Sequence, residues 1–279
     1  MKDKRKLPRD ANVTGAKIAT EAEAERHFVT ALARGLDILG CFSSSRPEIG
    51  VTQLAAMTGL PQPTVWRLCY TMIRLGYLVP VSGDKLRPGI PVLKLGRAAL
   101  ASIPLAEIAR APMQAMANRF GSASGLGARD GGRMVFVQRC MSEAQLVMNV
   151  RVGARLPLLS SAVGWGLLAG MEEAERDALI AEYAPADPRW PEIRTIFEAA
   201  ITGYATDGFI LNLGVFHGDY NTAAVPVRGP DGRPIFALSC AGSATTHSAE
   251  FLRCKVAPTL LAIARDLEDA PEARRGQIS

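Results

Sequence analysis

Between Val51 and Met72 the chain reads VTQLAAMTGLPQPTVWRLCYTM, a spacing that few folds accommodate. A short helix is predicted over Thr52–Met57, with Thr52 as its N-cap. A second is predicted from about Gln62 to Leu75, stopping at Gly76. Small Ala55 falls where two helices would touch, and Gly59 falls where a tight turn demands a positive φ. Val65, Leu68, Cys69 and Met72 recur at i, i+3, i+4 and i+7, which gives the second helix one apolar face. Pro61 and Pro63 are tolerated because they sit at a helix start, where backbone N–H groups lack partners anyway. This is the pattern of a helix-turn-helix.

The other face of the second helix carries Gln62, Thr64, Arg67, Tyr70 and Arg74, with Trp66 at its margin. Gln and Arg read base edges in a DNA major groove, and Thr, Tyr and Arg also suit phosphate oxygens. A recognition helix of this kind enters the groove by its N-terminal end, which brings Pro63 close to the duplex. Thr52 and Gln53, at the start of the preceding helix, complete the face expected to meet DNA. Around the motif, a helix should begin near Phe28, where Val29, Leu32, Leu36 and Leu39 recur at helical spacing. The run Ser43-Ser44-Ser45-Arg46-Pro47 ends it. Leu78–Val81 and Lys85–Arg87 read as two short strands around the turn Ser82-Gly83-Asp84. Helix, helix, helix and hairpin make a winged helix-turn-helix. Arg46, Lys85 and Arg87, in its loop and wing, are candidates for phosphate contacts.

Charge placement points the same way. Residues 1–90 carry 13 Lys and Arg against 8 Asp and Glu, whereas the rest of the chain carries 19 of each. All the excess positive charge therefore lies in the first third. Neutralising phosphates is the main sequence-independent source of DNA affinity. A basic small domain joined to a neutral larger one is what a DNA-binding module with a sensor would look like. A winged helix used as a protein-interaction adaptor is the alternative reading of the same motif.

The expected organisation is a mobile arm over 1–27, a DNA-binding domain over 28–90, a linker-helix region over 91–120 and a second domain over 121–279. In the second domain, strands are predicted at 123–128, 133–139, 145–150, 222–228 and 234–241. The first two flank Asp130-Gly131-Gly132, and the last two flank Pro230-Asp231-Gly232, both hairpin turns. Helices are predicted at 162–170, 173–182, 190–203 and about Ala249–Glu268. The last carries Leu252, Val256, Leu260, Ile263 and Leu267 on one face. Hairpin-linked strands with helices packed on them imply an α+β domain with an antiparallel sheet.

Several function classes are disfavoured. The five cysteines are scattered, odd in number and form no C-x-x-C pair, so neither a disulfide framework nor a structural zinc site is expected. No metal or cofactor is expected. The segment GSASG (121–125) has Ala123 where a nucleophile elbow needs Ser. The segment GLGARD (125–130) lacks the last glycine of a dinucleotide fingerprint. Cys240 has only the distant His217 as a base. An enzyme is therefore not expected. No apolar run approaches the ~20 residues of a membrane span, and the polar N-terminus shows no secretory signal, so the cytoplasm is the expected location.

In the second domain, apolar Leu158, Leu159, Ala162 and Val163 can wall a small-molecule pocket. Ser160 and Ser161 precede an apolar helix. Either caps that helix, or the helix end accepts the carboxylate of a ligand.

Taken together, the chain resembles the IclR family of bacterial transcriptional regulators. The resemblance lies in ALARGLDILGCF (31–42), TQLAAMTGLPQPTVWRLCYTMIRLGYL (52–78) and LRPGIPVLKLG (86–96). It continues in RVGARLPLLSSAVGWGLLA (151–169) and GFILNLGVFHGDYNTAAVPVRGPDGRPIFALSCAG (208–242). It implies a GAF-like effector-binding domain, a dimer or dimer of dimers, a palindromic operator in double-stranded DNA, and control by a small organic molecule, often an acid or aromatic metabolite. Carried over position by position, the family's ligand cavity falls near Met148 and Asn149, Ala162 and Val163, Asn221 to Val225, and Ser239, Cys240 and Ala241. Arg67 matches the family's arginine in the recognition helix. The chain departs from the family at Gln62 and Pro63, where Ser or Lys is frequent, and at Trp66, where Tyr is frequent.

Overall fold

The computed structural model describes residues 27–143 and 150–271. Almost all of the expected arm, and most of the strand expected at 145–150, lie outside them. The chain forms two compact units that divide between Ala99 and Leu100.

The first unit contains α1 (Thr30–Gly40), β1 (Ile49–Gly50), α2 (Val51–Thr58), α3 (Gln62–Arg74), β2 (Leu78–Val81) and β3 (Lys85–Pro88). Its three strands pair antiparallel in the order β1-β3-β2. The turn between α2 and α3 works as the spacing requires: Gly59 adopts φ 66°, a conformation that an L side chain resists. Val65, Cys69 and Met72 of α3 are buried with Ile38, Leu54, Leu78 and Leu86, and Leu68 and Ala55 pack at the edge of that cluster. The N-cap of α2 is Gly50, not Thr52; the Gly50 N–H donates to Gln53 Oε1 at 3.3 Å. The two-residue strand β1, too short to carry a period of its own, supplies that cap by pairing with β3.

The buried face of α1 also differs from its apolar stripe. Ile38 is the residue fully buried there, while Leu32 stays 62% exposed, as do Val29 and Leu36 to a similar degree. Of the expected stripe, Leu39 alone packs at the edge of this unit's core.

Helix α4 (Ile90–Ala101) runs through the boundary, followed by α5 (Pro104–Ile108) and α6 (Arg110–Phe120). The second unit is built on β4 (Ala123–Asp130), β5 (Arg133–Met141), β6 (Arg155–Pro157), β7 (Ile210–Leu213), β8 (Tyr220–Arg228) and β9 (Pro234–Ser243). These form one antiparallel sheet in the order β6-β5-β4-β9-β8-β7. Helices α7 (Ala162–Ala169), α8 (Glu173–Tyr183) and α9 (Trp190–Asp207) precede β7. The chain closes with a turn of helix at Ala249–Phe251, a π-helical stretch at Leu252–Val256 and α10 (Ala257–Asp269).

Two cores lie on opposite faces of this sheet, because alternate residues of a strand point opposite ways. Ala223, Val225, Val227, Leu238 and Cys240 pack with α6 and α10. Ala224, Ala237, Ile210, Met134 and Phe136 pack with α7. Helix α7 reads AVGWGLLA and is buried on every side, as a helix apolar all round must be. Its glycines permit close approach: a Cβ at Gly166 would stand 3.0 Å from that of Ala224. Trp165 is fully buried, donates Nε1–H to Leu159 O at 2.6 Å, and meets the Phe197 ring of α9 edge-on at 5.5 Å.

Candidate nucleic-acid interface and small-molecule site

In the first unit, Arg46, Thr52, Gln53, Gln62, Pro63, Trp66, Arg67, Tyr70, Arg74, Lys85 and Arg87 are all exposed, and Thr64 is half-buried. The helix α3 residues form one continuous face because Val65, Cys69 and Met72 anchor the opposite side. Several are already oriented. Gln62 Nε2 donates to Thr52 Oγ1 at 3.2 Å, which ties the start of α3 to α2 and leaves the Gln62 carbonyl free to accept. The Trp66 and Tyr70 rings lie 6.5 Å apart, and Arg74 Nη1 approaches the Tyr70 hydroxyl at 3.5 Å. Arg46 is held by Ser43, whose carbonyl and hydroxyl both accept from its backbone N–H. In the wing, Leu86 points into the core, so Lys85 and Arg87 on either side of it point out. Gly83 and Asp84 turn the hairpin, both with positive φ. An exposed helix face of amide, hydroxyl, aromatic and guanidinium groups beside a basic hairpin suits a duplex groove.

In the second unit, the expected small-molecule residues separate. Met148 and Asn149 lie outside the described residues. Val163 lies over β4, close to Gly127, and Ser239 and Ala241 share its face of the sheet. Val225 and Cys240 point to the opposite face, into the core with α6 and α10. Asn221 also faces away, and its Nδ2 donates to His247 O at 2.9 Å, clipping the loop after β9. Any strand segment carried over whole is split this way by alternation, so Asn221, Val225 and Cys240 do not join the α7 face. Ser160 and Ser161 are both buried. Ser161 is the N-cap of α7, accepting from Gly164 N at 3.2 Å and donating to Pro157 O at 2.6 Å. Of the two readings of that serine pair, the cap is the one with a hydrogen bond behind it.

What lies on the α7 face is a floor of small side chains. One row of cross-strand partners runs Met141, Ala123, Ala241, Thr222, Asn212; the next runs Arg139, Gly125, Ser239, Ala224, Ile210. Between the large residues at each end, both rows hold only Gly, Ala, Ser or Thr. Arg139 was not singled out in the sequence; Asn212 stood out only as a departure from the G-F-x-x-S-x-G stretch that Gly208–Gly214 resembles. The mid-strand glycines of Gly125-Leu126-Gly127 were the available signal, since such glycines mark close approach by a ring, a backbone or a ligand. Here Phe136 and Val163 stand where Cβ atoms at Gly125 and Gly127 would fall.

Cys69 and Cys240 are not poised as nucleophiles. Burial pushes Cys69 and Cys240 up to about 11, with Ser122 hydrogen-bonded to Cys240 only partly opposing the shift there. Among the described residues, no helix is long and apolar enough to cross a membrane.

The family model for the IclR helix-turn-helix domain matches residues 31–82, and that for the bacterial transcriptional regulator IclR C-terminal domain matches residues 97–269. The HTH-type transcriptional regulator TsaQ1/TsaQ2 of Comamonas testosteroni is 32% identical over 91% of this chain and 92% of its own. The crystal structure of an IclR family transcriptional regulator from Brucella abortus is 33% identical, with a TM-score of 0.79 over 91% of this chain and 96% of that one. An IclR homolog from Microbacterium hydrocarbonoxydans, solved in complex with 4-hydroxybenzoate, shares the fold at a TM-score of 0.68 and 22% identity over 85% of this chain and 97% of that one.

Proposed function

The chain belongs to the IclR family of transcriptional regulators, and from that premise we propose that its hold on DNA is set by a small organic acid or aromatic metabolite bound in its second unit. It is a DNA-binding transcriptional regulator and not an enzyme. The observation that carries the proposal is the exposed face of α3, where Gln62, Arg67, Tyr70 and Arg74 point away from a core closed by Val65, Cys69 and Met72. In this reading Gln62 and Arg67 read base edges, Thr52, Gln53, Pro63, Thr64 and Trp66 border the groove, and Arg46, Tyr70, Arg74, Lys85 and Arg87 contact phosphates. The effector lies on the small-residue floor below α7, in contact with Ala162, Val163, Ser239 and Ala241. A homolog of the same fold is described with an aromatic carboxylate, 4-hydroxybenzoate.

The operator is a palindrome read by two copies in the cytoplasm, because a two-fold protein matches a two-fold site. Phe28, Val29, Leu32 and Leu36, and on α4 the 75% exposed Ile90 with Leu93, leave apolar surface of the kind that copies of a chain bury together. Leu32→Glu with Leu36→Glu should weaken self-association in sedimentation.

Fluorescence anisotropy on DNA from upstream of the gene tests the whole reading. Binding should prefer one palindrome, fall steeply with salt, and change on addition of a small acid or aromatic compound. Affinity that is indifferent to sequence, or to every such compound, would refute it.

A further inference from the structure

Strict alternation would send Phe136 and Arg139 to opposite faces of β5. A bulge reverses this. Gly127 pairs with Phe136 and Leu126 with Gln138, which leaves Val137 unpaired and shifts the phase of every later residue. Gln138 and Cys140 then face α5 and α6, donating to Ala106 O and Arg110 O. Arg139 faces the α7 side, with its guanidinium carbon 4.9 Å from the centre of the Phe136 ring.

Two of its guanidinium nitrogens, Nε and Nη2, are inaccessible to solvent and have no hydrogen-bond partner among the described residues. None of the ion pairs found among those residues involves Arg139. Segment 144–149, AQLVMN, carries no acidic residue in its sequence. Burial pulls the Arg139 pKa down to about 10, opposed only by the Cys240 and Cys140 thiols, so the group stays charged at neutral pH. A half-buried guanidinium with two nitrogens cut off from water and unpartnered is costly to a fold, and a counter-charge from outside the chain would offset that cost. Across β4 and β9 from Arg139 lie only small residues, Gly125 and Ser239 in its own row and Ala123 and Ala241 in the next.

We propose that Arg139 is the anion anchor of the small-molecule site, its Nε and Nη2 taking a carboxylate of the effector side-on while the rest of the effector lies over Ala123, Ala241 and Thr222. This rests on the effector-sensing reading above and narrows it to acids. It also moves the acid away from the N-terminus of α7, where Ser161 already occupies the Gly164 N–H. The paired geometry of Nε and Nη2 matches a carboxylate, and a lysine ammonium cannot reproduce it.

The test uses the full-length protein and matched probes: benzoate and benzamide, 4-hydroxybenzoate and 4-hydroxybenzamide, pyruvate and pyruvamide. Thermal midpoints and operator anisotropy are measured for wild type, Arg139→Gln, Arg139→Lys and Arg139→Met. At least one acid should raise the wild-type midpoint where its amide does not. Arg139→Gln should weaken that acid by about 10- to 100-fold, the loss of a charge-assisted contact, and Arg139→Lys should recover part of it. Without ligand, Arg139→Met should melt above wild type, because it removes an unpaired charge without emptying the space. An Arg139→Met protein that melts below wild type would make the arginine a structural prop for Phe136 and overturn the proposal. So would an acid that binds Arg139→Gln unchanged, or a panel in which no acid outperforms its amide. Amides that shift operator affinity as well as acids do would end the anchor role and leave sensing intact. Acid binding lost in Arg139→Gln but without effect on the operator would keep the anchor and end sensing.

Discussion

Arg67 and Arg139 show how differently the two units use the same side chain. Arg67 stands in solvent on a helix whose other side is fixed by Val65 and Cys69. Its charge is exposed to water and available to a large polyanion that approaches from outside. Arg139 is turned inward by a bulge, against Phe136, with two nitrogens cut off from water. On the proposal above, that arrangement is completed by the carboxylate of a small ligand. A surface that meets DNA can be assembled from one helix. A site that encloses a metabolite has to be assembled from several strands and tolerates strain to do so.

If the units are as independent as this contrast implies, mutations should separate them. The largest effect is expected from Trp165→Ala, which empties the centre of the α7 core and should cost about 3–5 kcal/mol. Denaturant unfolding should show that loss in the second unit, with the first unit's transition unmoved. Arg67→Ala should do the reverse: about 1–3 kcal/mol lost at the operator, with the thermal midpoint unchanged because the side chain is exposed. An unaltered operator affinity would remove Arg67 from base reading. Ser161→Ala should cost about 1 kcal/mol of stability through the lost cap of α7, with acid affinity retained. A selective loss of acid affinity instead would return Ser161 to the ligand.

The smallest effect concerns His247, buried against Gly242 and the Phe251 ring. Burial lowers its pKa, with the Phe120 backbone carbonyl partly opposing that shift. The unfolded chain therefore takes up this proton first as pH falls. The stability linked to it is complete above about pH 6.5, the unfolded value, and declines as pH drops through and below that. Between pH 7.5 and 5.5, the fall in thermal midpoint should be shallower for His247→Gln than for wild type.

How much was legible follows from the same contrast. The recognition helix, the turn at Gly59, the wing and the stripe Leu252, Val256, Leu260, Ile263 and Leu267 of the last helix all read directly from spacing. Strands β1, β6 and β7 did not, being only two to four residues long and held by their neighbours rather than by their own pattern. In α1 the helix was legible and its buried side was not, because Leu32 and Leu36 are kept for the surface.

By itself the sequence determined much of what has its causes within about ten residues: the phase of α3, the left-handed turn at Gly59, the hairpins, and the face of α3 that meets solvent. Tertiary structure alone decided which residues share the floor beneath α7. Ala123 meets Ala241 across 118 positions of chain, and the unpaired Val137 sets which side of the sheet Arg139 faces. A strand's side chains alternate, so one inserted residue reverses all that follow, and only the paired partner reveals that the insertion occurred.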